Sequence, residues 1–208
     1  MELLFLSKQI TSLNELSTYL QLGFEHISDL NAYDHIVFII ALTAIYRIKD
    51  IKIIFWLVSA FTVGHSLSLA LATLQVIVIP SAIIEFLIPV TILSTAIYNV
   101  LLEGRKERFF NGSNRINYGI AILFGLIHGL GFSNYLQMLL GSEANILLPL
   151  LSFNFGLELG QLLIVALILG AMFIAERILK MKQNEWVLFL SGAAAGISLI
   201  LMQQTKFW

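Results

Sequence analysis

The 208-residue chain contains no cysteine. This excludes a disulfide framework, a thiolate metal site, a thiol nucleophile and a cysteine-ligated iron–sulfur cluster. Charge is nearly as scarce: 12% of residues are Asp, Glu, Lys or Arg, where soluble domains average about 25%. Twelve Lys and Arg against 13 Asp and Glu give a formal net charge of -1, which excludes both a basic nucleic-acid binder and an acidic disordered tail. There are four histidines, so any metal or acid–base chemistry draws on a very short list. What is present is apolar. Hydrophobic residues make up 58% and the mean hydropathy is +0.88, too little polar surface to clothe a water-soluble globule. The solvent of this chain is mostly lipid.

A helix needs about 20 apolar residues to cross a hydrocarbon core of about 30 Å. Six stretches are read as spans, at residues 34–47, 53–75, 80–101, 116–139, 146–175 and 186–203, with Asn31, Ala32 and Tyr33 extending the outer end of the short first one. Basic residues collect in cytoplasmic loops. Arg47, Lys49 and Lys52 separate spans one and two, Arg105, Lys106, Arg108 and Arg115 separate three and four, and Arg177, Lys180 and Lys182 separate five and six. Lys8 and Lys206 remain for the other side. The expected architecture is therefore an all-α, polytopic, six-helix bundle with both termini outside the cytoplasm.

The N-terminus has no basic region ahead of its first apolar residues, which argues against a cleaved signal. In TSLNELSTYLQLGF, residues 11–24, a stripe of Leu13, Leu16, Tyr19, Leu20 and Phe24 suits an interfacial amphipathic helix on the outer surface, or a half-helix packed against the bundle. The division is thus an outer helix and turn over 1–30, with Asp29 in turn chemistry, and one bundle over 31–208, without internal repeat.

Ionisable groups in hydrocarbon are costly and mark pathways or sites. His26, Asp34 and His35 flank the outer end of the first span, His65 and His128 sit in the middle of the second and fourth, Glu158 lies in the middle of the fifth, and Glu85 about 7 Å nearer the outside in the third. No Lys or Arg lies in a span core. Carboxylates and imidazoles without a basic counter-ion form an oxygen and nitrogen ligand set for a divalent transition metal. Asn154, Glu158 and Gln161 share one face of the fifth span, beside Gly156 and Gly160, and Asn99 continues the polar side of the third. Asn154, Gln161 and Asn99 are the expected orienting residues behind the ligands. The inner half of the spans looks poor in polar groups. Asp34 alone suits a helix cap, and the Gly125–Gly129 pair alone suits close packing.

HISDLNAYDHIVFIIAL, FTVGHSLSLAL, Pro80 with Glu85 and Asn99, FGLIHGLGFS and FNFGLELGQ together resemble the HupE/UreJ family of small membrane proteins, over about residues 22–170. The resemblance implies a hydrogenase or urease accessory protein of the bacterial inner membrane that handles nickel or cobalt, with His26, Asp34, His35 and His128 in its motifs and Glu158 nearest to an acidic position. The family's nickel-permease branch has a shorter His–Asp spacing and an acid after His-Gly in the same helix. FGLIHGLGFSN has none, so the chain is closer to a second branch.

Two chemistries fit the constellation. In a permease, His26, Asp34 and His35 capture nickel or cobalt at the outer mouth and His65, Glu85, His128 and Glu158 bind it at depth, with Pro89 and the fourth-span glycines as hinges. In an intramembrane zinc hydrolase, His35, His65 and His128 hold the metal, Asp34 or Glu158 is the base and Ser66 polarises a carbonyl. A metal-free assembly subunit is the third possibility. The expected partners are the bilayer and the metal ion.

Overall fold

In a computed structural model, residues 2–103, 114–140 and 146–208 are described, the side chains of 2–13, 102, 103 and 114 excepted. The side chains of Lys8 and Leu13 and the loop residues Arg105, Lys106 and Arg108 fall outside this set. Seven α-helices follow in order: α1 Glu2–Ser28, α2 Asp34–Thr43, α3 Ile51–Thr73, α4 Ser81–Glu103, α5 Asn114–Leu140, α6 Leu147–Ile178 and α7 Gln183–Gln204. A 3-10 turn at Ile48–Asp50 joins α2 to α3. No strand occurs among the described residues.

Helices α3 to α7 each carry an apolar stretch long enough to span a bilayer, whereas α2 has 10 residues. At 1.5 Å per residue α2 is about 15 Å long, half the hydrocarbon thickness, so the expected sixth span is not a membrane-length helix. It ends early because the chain turns at Ala44 and Tyr46, before the basic run. Helix α1 is also corrected. It does not lie on the surface but packs lengthwise along α6 with Tyr19, Gly23 and Ile27 buried, a stripe rotated from the expected one. It packs against the bundle, but as a helix of 27 residues rather than a half-helix.

Two crossings set the bundle's tightest distances. A Cβ on Gly23 would overlap the carbonyl of Phe153, and Cβ atoms on Gly156 and Gly160 would overlap the Leu20 carbonyl and Ile27. In the same register, Gly64 meets the Ile122 carbonyl while Gly125 and Gly129 meet the carbonyls of Phe61 and His65. Successive turns meet in order, so α1 runs in the same direction as α6 and α3 as α5. With no hydrophobic drive between helices in lipid, such small-residue contacts supply the van der Waals area that holds them together. The pair read as a packing signal, Gly125 and Gly129, is the seam that seats α5 on the His65 turn.

The basic linkers gather at one end. Arg47 donates to Gln183 at 3.2 Å, Gln183 donates to the Ile45 carbonyl at 3.3 Å, and Asn117 donates to the Tyr46 hydroxyl at 3.4 Å. The start of α3, the start of α5 and the α6–α7 link therefore share this basic end. At the other end Gln137 donates to the Thr73 carbonyl, and Asn31 to Asp34, Glu85 and Thr205 surround a common opening. Asp29 forms an Asx turn there, accepting from the Asn31 backbone at 2.8 Å, as its turn chemistry required.

Candidate metal centre

His26 stands in the last turn of α1, His35 in the first turn of α2, and His65 and His128 in the middle of α3 and α5. His35, His65 and His128 are buried and His26 is half-buried. The tight α3–α5 and α1–α6 seams bring these four turns to one level. Ring centroids of His35 lie 4.7 Å from His26, 6.2 Å from His65 and 5.3 Å from His128. One nitrogen from each of His26, His35 and His65 falls within 4.8 Å of the other two. Two ligands on one ion stand at most about 4.2 Å apart, given metal–nitrogen bonds of about 2.1 Å. The set therefore closes on an ion with side-chain shifts below about 1 Å.

Hydrogen bonding separates site from scaffold. His26 Nε2, both nitrogens of His35 and of His65, and His128 Nδ1 are buried without a hydrogen-bond partner among the described residues. An unpartnered buried polar atom is expensive, more so where lipid replaces water. Several stand in one cluster, on rings of four helices, and each neutral imidazole offers one lone pair to a ligand. Asp34 Oδ1 lies 3.3 Å from His35 Nδ1 without hydrogen-bonding it, one small side-chain shift from the place where a carboxylate orients a ligating imidazole. His128 Nε2 is held by the Thr91 hydroxyl at 2.9 Å, leaving its buried Nδ1 without a partner among the described residues. Phe132 and Phe153 close the cluster on the side away from the basic end, with Phe132 4.0 Å from His26 between ring centroids.

The remaining expected residues are placed elsewhere. Glu158 accepts from Ser59 at 2.5 Å, six residues, or about 9 Å, along α3 from His65. Gln161 accepts from Thr62 at 2.7 Å. Asn99 donates to the Ala41 carbonyl at 2.7 Å and to Ser191 at 3.2 Å, near the basic end. The Ser66 hydroxyl donates to the Thr62 carbonyl within its own helix at 2.6 Å. Glu85 is exposed and lines the opening that Asp34 also lines. Asn154 is half-buried, its carbonyl oxygen without a partner among the described residues. The structure thus joins His26, Asp34, His35, His65 and His128, and leaves Glu158, Gln161 and Asn99 in separate hydrogen bonds.

A second opening, about 600 Å³, reaches His26 between Glu25, Asp29 and Tyr135. Glu25 was missed in the sequence because it sits on a polar helix face, where a carboxylate needs no explanation. A family model described as HupE / UreJ protein matches residues 4–208. The chain belongs to the HupE/UreJ family. No curated protein and no solved structure matches it. The match takes in α1 and α7 beyond the motifs first recognised. Five bilayer-length helices in a HupE/UreJ chain make it a multi-pass membrane protein, and the family ties it to nickel or cobalt handling.

Proposed function

We propose that this HupE/UreJ protein is a permease for a divalent transition metal, nickel or cobalt, captured at the His26/His35/His65 centre. The observation that carries the reading is the convergence of unpartnered imidazole nitrogens from separate helices beside Asp34. Nitrogen-rich sites with one carboxylate suit nickel and cobalt better than magnesium or calcium, which take oxygen. The positive-inside rule sets the basic end in the cytoplasm of a bacterial inner membrane, so the centre faces outward. Glu25, Asp29 and Glu85 at the two openings draw cations inward. His128 completes the ligand set as the ion settles, and Glu158 with Asn154 and Gln161 provides polar stations along α6.

Cells expressing the protein are expected to accumulate nickel or cobalt above vector controls, and His35→Ala to return accumulation to background. Parent accumulation equal to vector, with the protein present in the membrane, contradicts the reading. A zinc hydrolase is the second reading, favoured by the three-imidazole set with a carboxylate nearby. Asp34 stands against His35, however, 3.3 Å from its Nδ1, and the Ser66 hydroxyl is taken by its own helix. A zinc ion retained stoichiometrically through purification would support it.

A further inference from the structure

In the outer half of the bundle α4 and α5 touch, with Ile88 beside Gly131 and the Thr91 hydroxyl on His128. Toward the basic end a cavity of about 230 Å³ separates them. Leu42, Ile45, Leu57, Ile120 and Phe124 give it apolar walls. Three of its other lining residues add little polarity, because they hydrogen-bond to main-chain carbonyls: Ser94 to Val90 at 2.7 Å, Thr95 to Thr91 at 2.8 Å and Asn99 to Ala41 at 2.7 Å. The cavity opens on the flank of the bundle, where Ser94 is exposed and Ile120 is 40% exposed. In a multi-pass membrane protein that flank meets hydrocarbon rather than water.

One end differs. In the first turn of α5, Asn117 lines the cavity, is 4% exposed, and has a carbonyl oxygen without a partner among the described residues. Its amide donates to the Tyr46 hydroxyl at 3.4 Å, which keeps its own proton to donate. Arg47 follows Tyr46 in the chain, Arg115 precedes Asn117 by two residues, and Lys49 and Lys52 are exposed at the same end. From Phe124 to Asn117 the cavity follows α5 for seven residues, about 10 Å. It is an apolar slot that ends at a donor, an acceptor and a group of cations. At about 30 Å³ for each methylene-sized group, the share of one water in the liquid, it holds about seven of them.

We propose that this cavity seats an acyl chain of an anionic glycerophospholipid from the cytoplasmic leaflet, with the head group at the Asn117–Tyr46 end. An empty apolar cavity forfeits dispersion contacts on every wall, and the bilayer offers acyl chains at its open side. Basic residues at the cytoplasmic end draw anionic head groups. Tyr46 donates to a phosphate or ester oxygen, and a head-group hydroxyl donates to the Asn117 carbonyl, which a choline head group cannot do. The seated chain fills the gap between α4 and α5 and so braces the pair that carries Thr91 and His128. The site is separate from the imidazole centre and independent of the ion bound there.

Native mass spectrometry of the purified protein, titrated with phosphatidylglycerol, phosphatidylethanolamine and phosphatidylcholine of identical chains, reads the affinity for each. Expected is one phosphatidylglycerol bound about tenfold or more tighter than phosphatidylcholine, with a gain in thermal stability. Phosphatidylglycerol bound no tighter than phosphatidylcholine overturns the proposal, and phosphatidylethanolamine bound as tightly overturns the anionic head group. Ser94→Phe fills the open side from an exposed position and is expected to weaken phosphatidylglycerol binding about tenfold by excluding the chain. Unchanged binding in a monodisperse variant overturns the cavity as the seat. Phosphatidylglycerol carrying a diazirine on its chain tests the parent without substitution. Crosslinks are expected at residues 94–99 and 117–124, and crosslinks confined to other segments overturn the proposal even if Ser94→Phe misfolds.

Discussion

Gly129 on α5 lies directly against the carbonyl oxygen of His65 on α3, with no room for a Cβ. The contact fixes how deeply α5 seats on α3, and therefore how far His128 and His65 stand from the rings of α1 and α2. Gly129→Val forces the two backbones apart. It is expected to lower stability by about 1–3 kcal/mol, the usual cost of overpacking, and to weaken metal binding by more than that loss explains. Thermal unfolding together with nickel titration of the purified variant checks both. Wild-type affinity would show that the crossing does not position the site.

In the permease reading Asp34, 3.3 Å from His35 Nδ1, positions that ring when the ion binds. Asp34→Asn keeps the volume and removes the charge, and is expected to reduce affinity about 10- to 100-fold, as removing a carboxylate behind a ligating imidazole does. Thr91→Val on His128 is expected to act in the same direction but less, because a hydroxyl carries no charge. Isothermal titration with nickel or cobalt ranks the two.

Glu25 and Glu85 line the two openings without touching the imidazole cluster. Glu25→Gln with Glu85→Gln is expected to slow initial metal uptake several-fold at low ionic strength, leaving affinity within about twofold, because steering by surface charge is screened at physiological salt. Initial uptake rates measured across a salt series check this. A salt-independent defect would instead place one of these carboxylates on the ion.

The long apolar runs made α3 to α7 legible, because hydrocarbon permits few other solutions. The histidines were equally legible, since an imidazole in or beside an apolar span is costly. Three features escaped. Helix α1 was read by its stripe of large residues, whereas its contact with α6 is made through Gly23, a residue that contributes nothing to hydrophobicity. Glu158 shared a depth with His65 on a linear count, but three-dimensional pairing gave it Ser59, and no spacing rule shows which helix will face it. The contact of Phe38 with Phe61 and Phe124, one turn from the inner imidazoles, was written in HIVF, FTVGH and FGLIH all along. Phenylalanine in an apolar span attracts no notice until its ring is seen under an imidazole.

In the proposed permease, imidazoles from α1, α2 and α3 hold the ion together. X-ray absorption of the purified protein loaded with one equivalent of nickel measures this directly. Expected is a nitrogen and oxygen shell with the multiple-scattering signature of at least three imidazoles, reduced by one in His26→Ala. A shell of oxygen ligands alone, or one indifferent to loss of His26, His35 and His65 in turn, would contradict it.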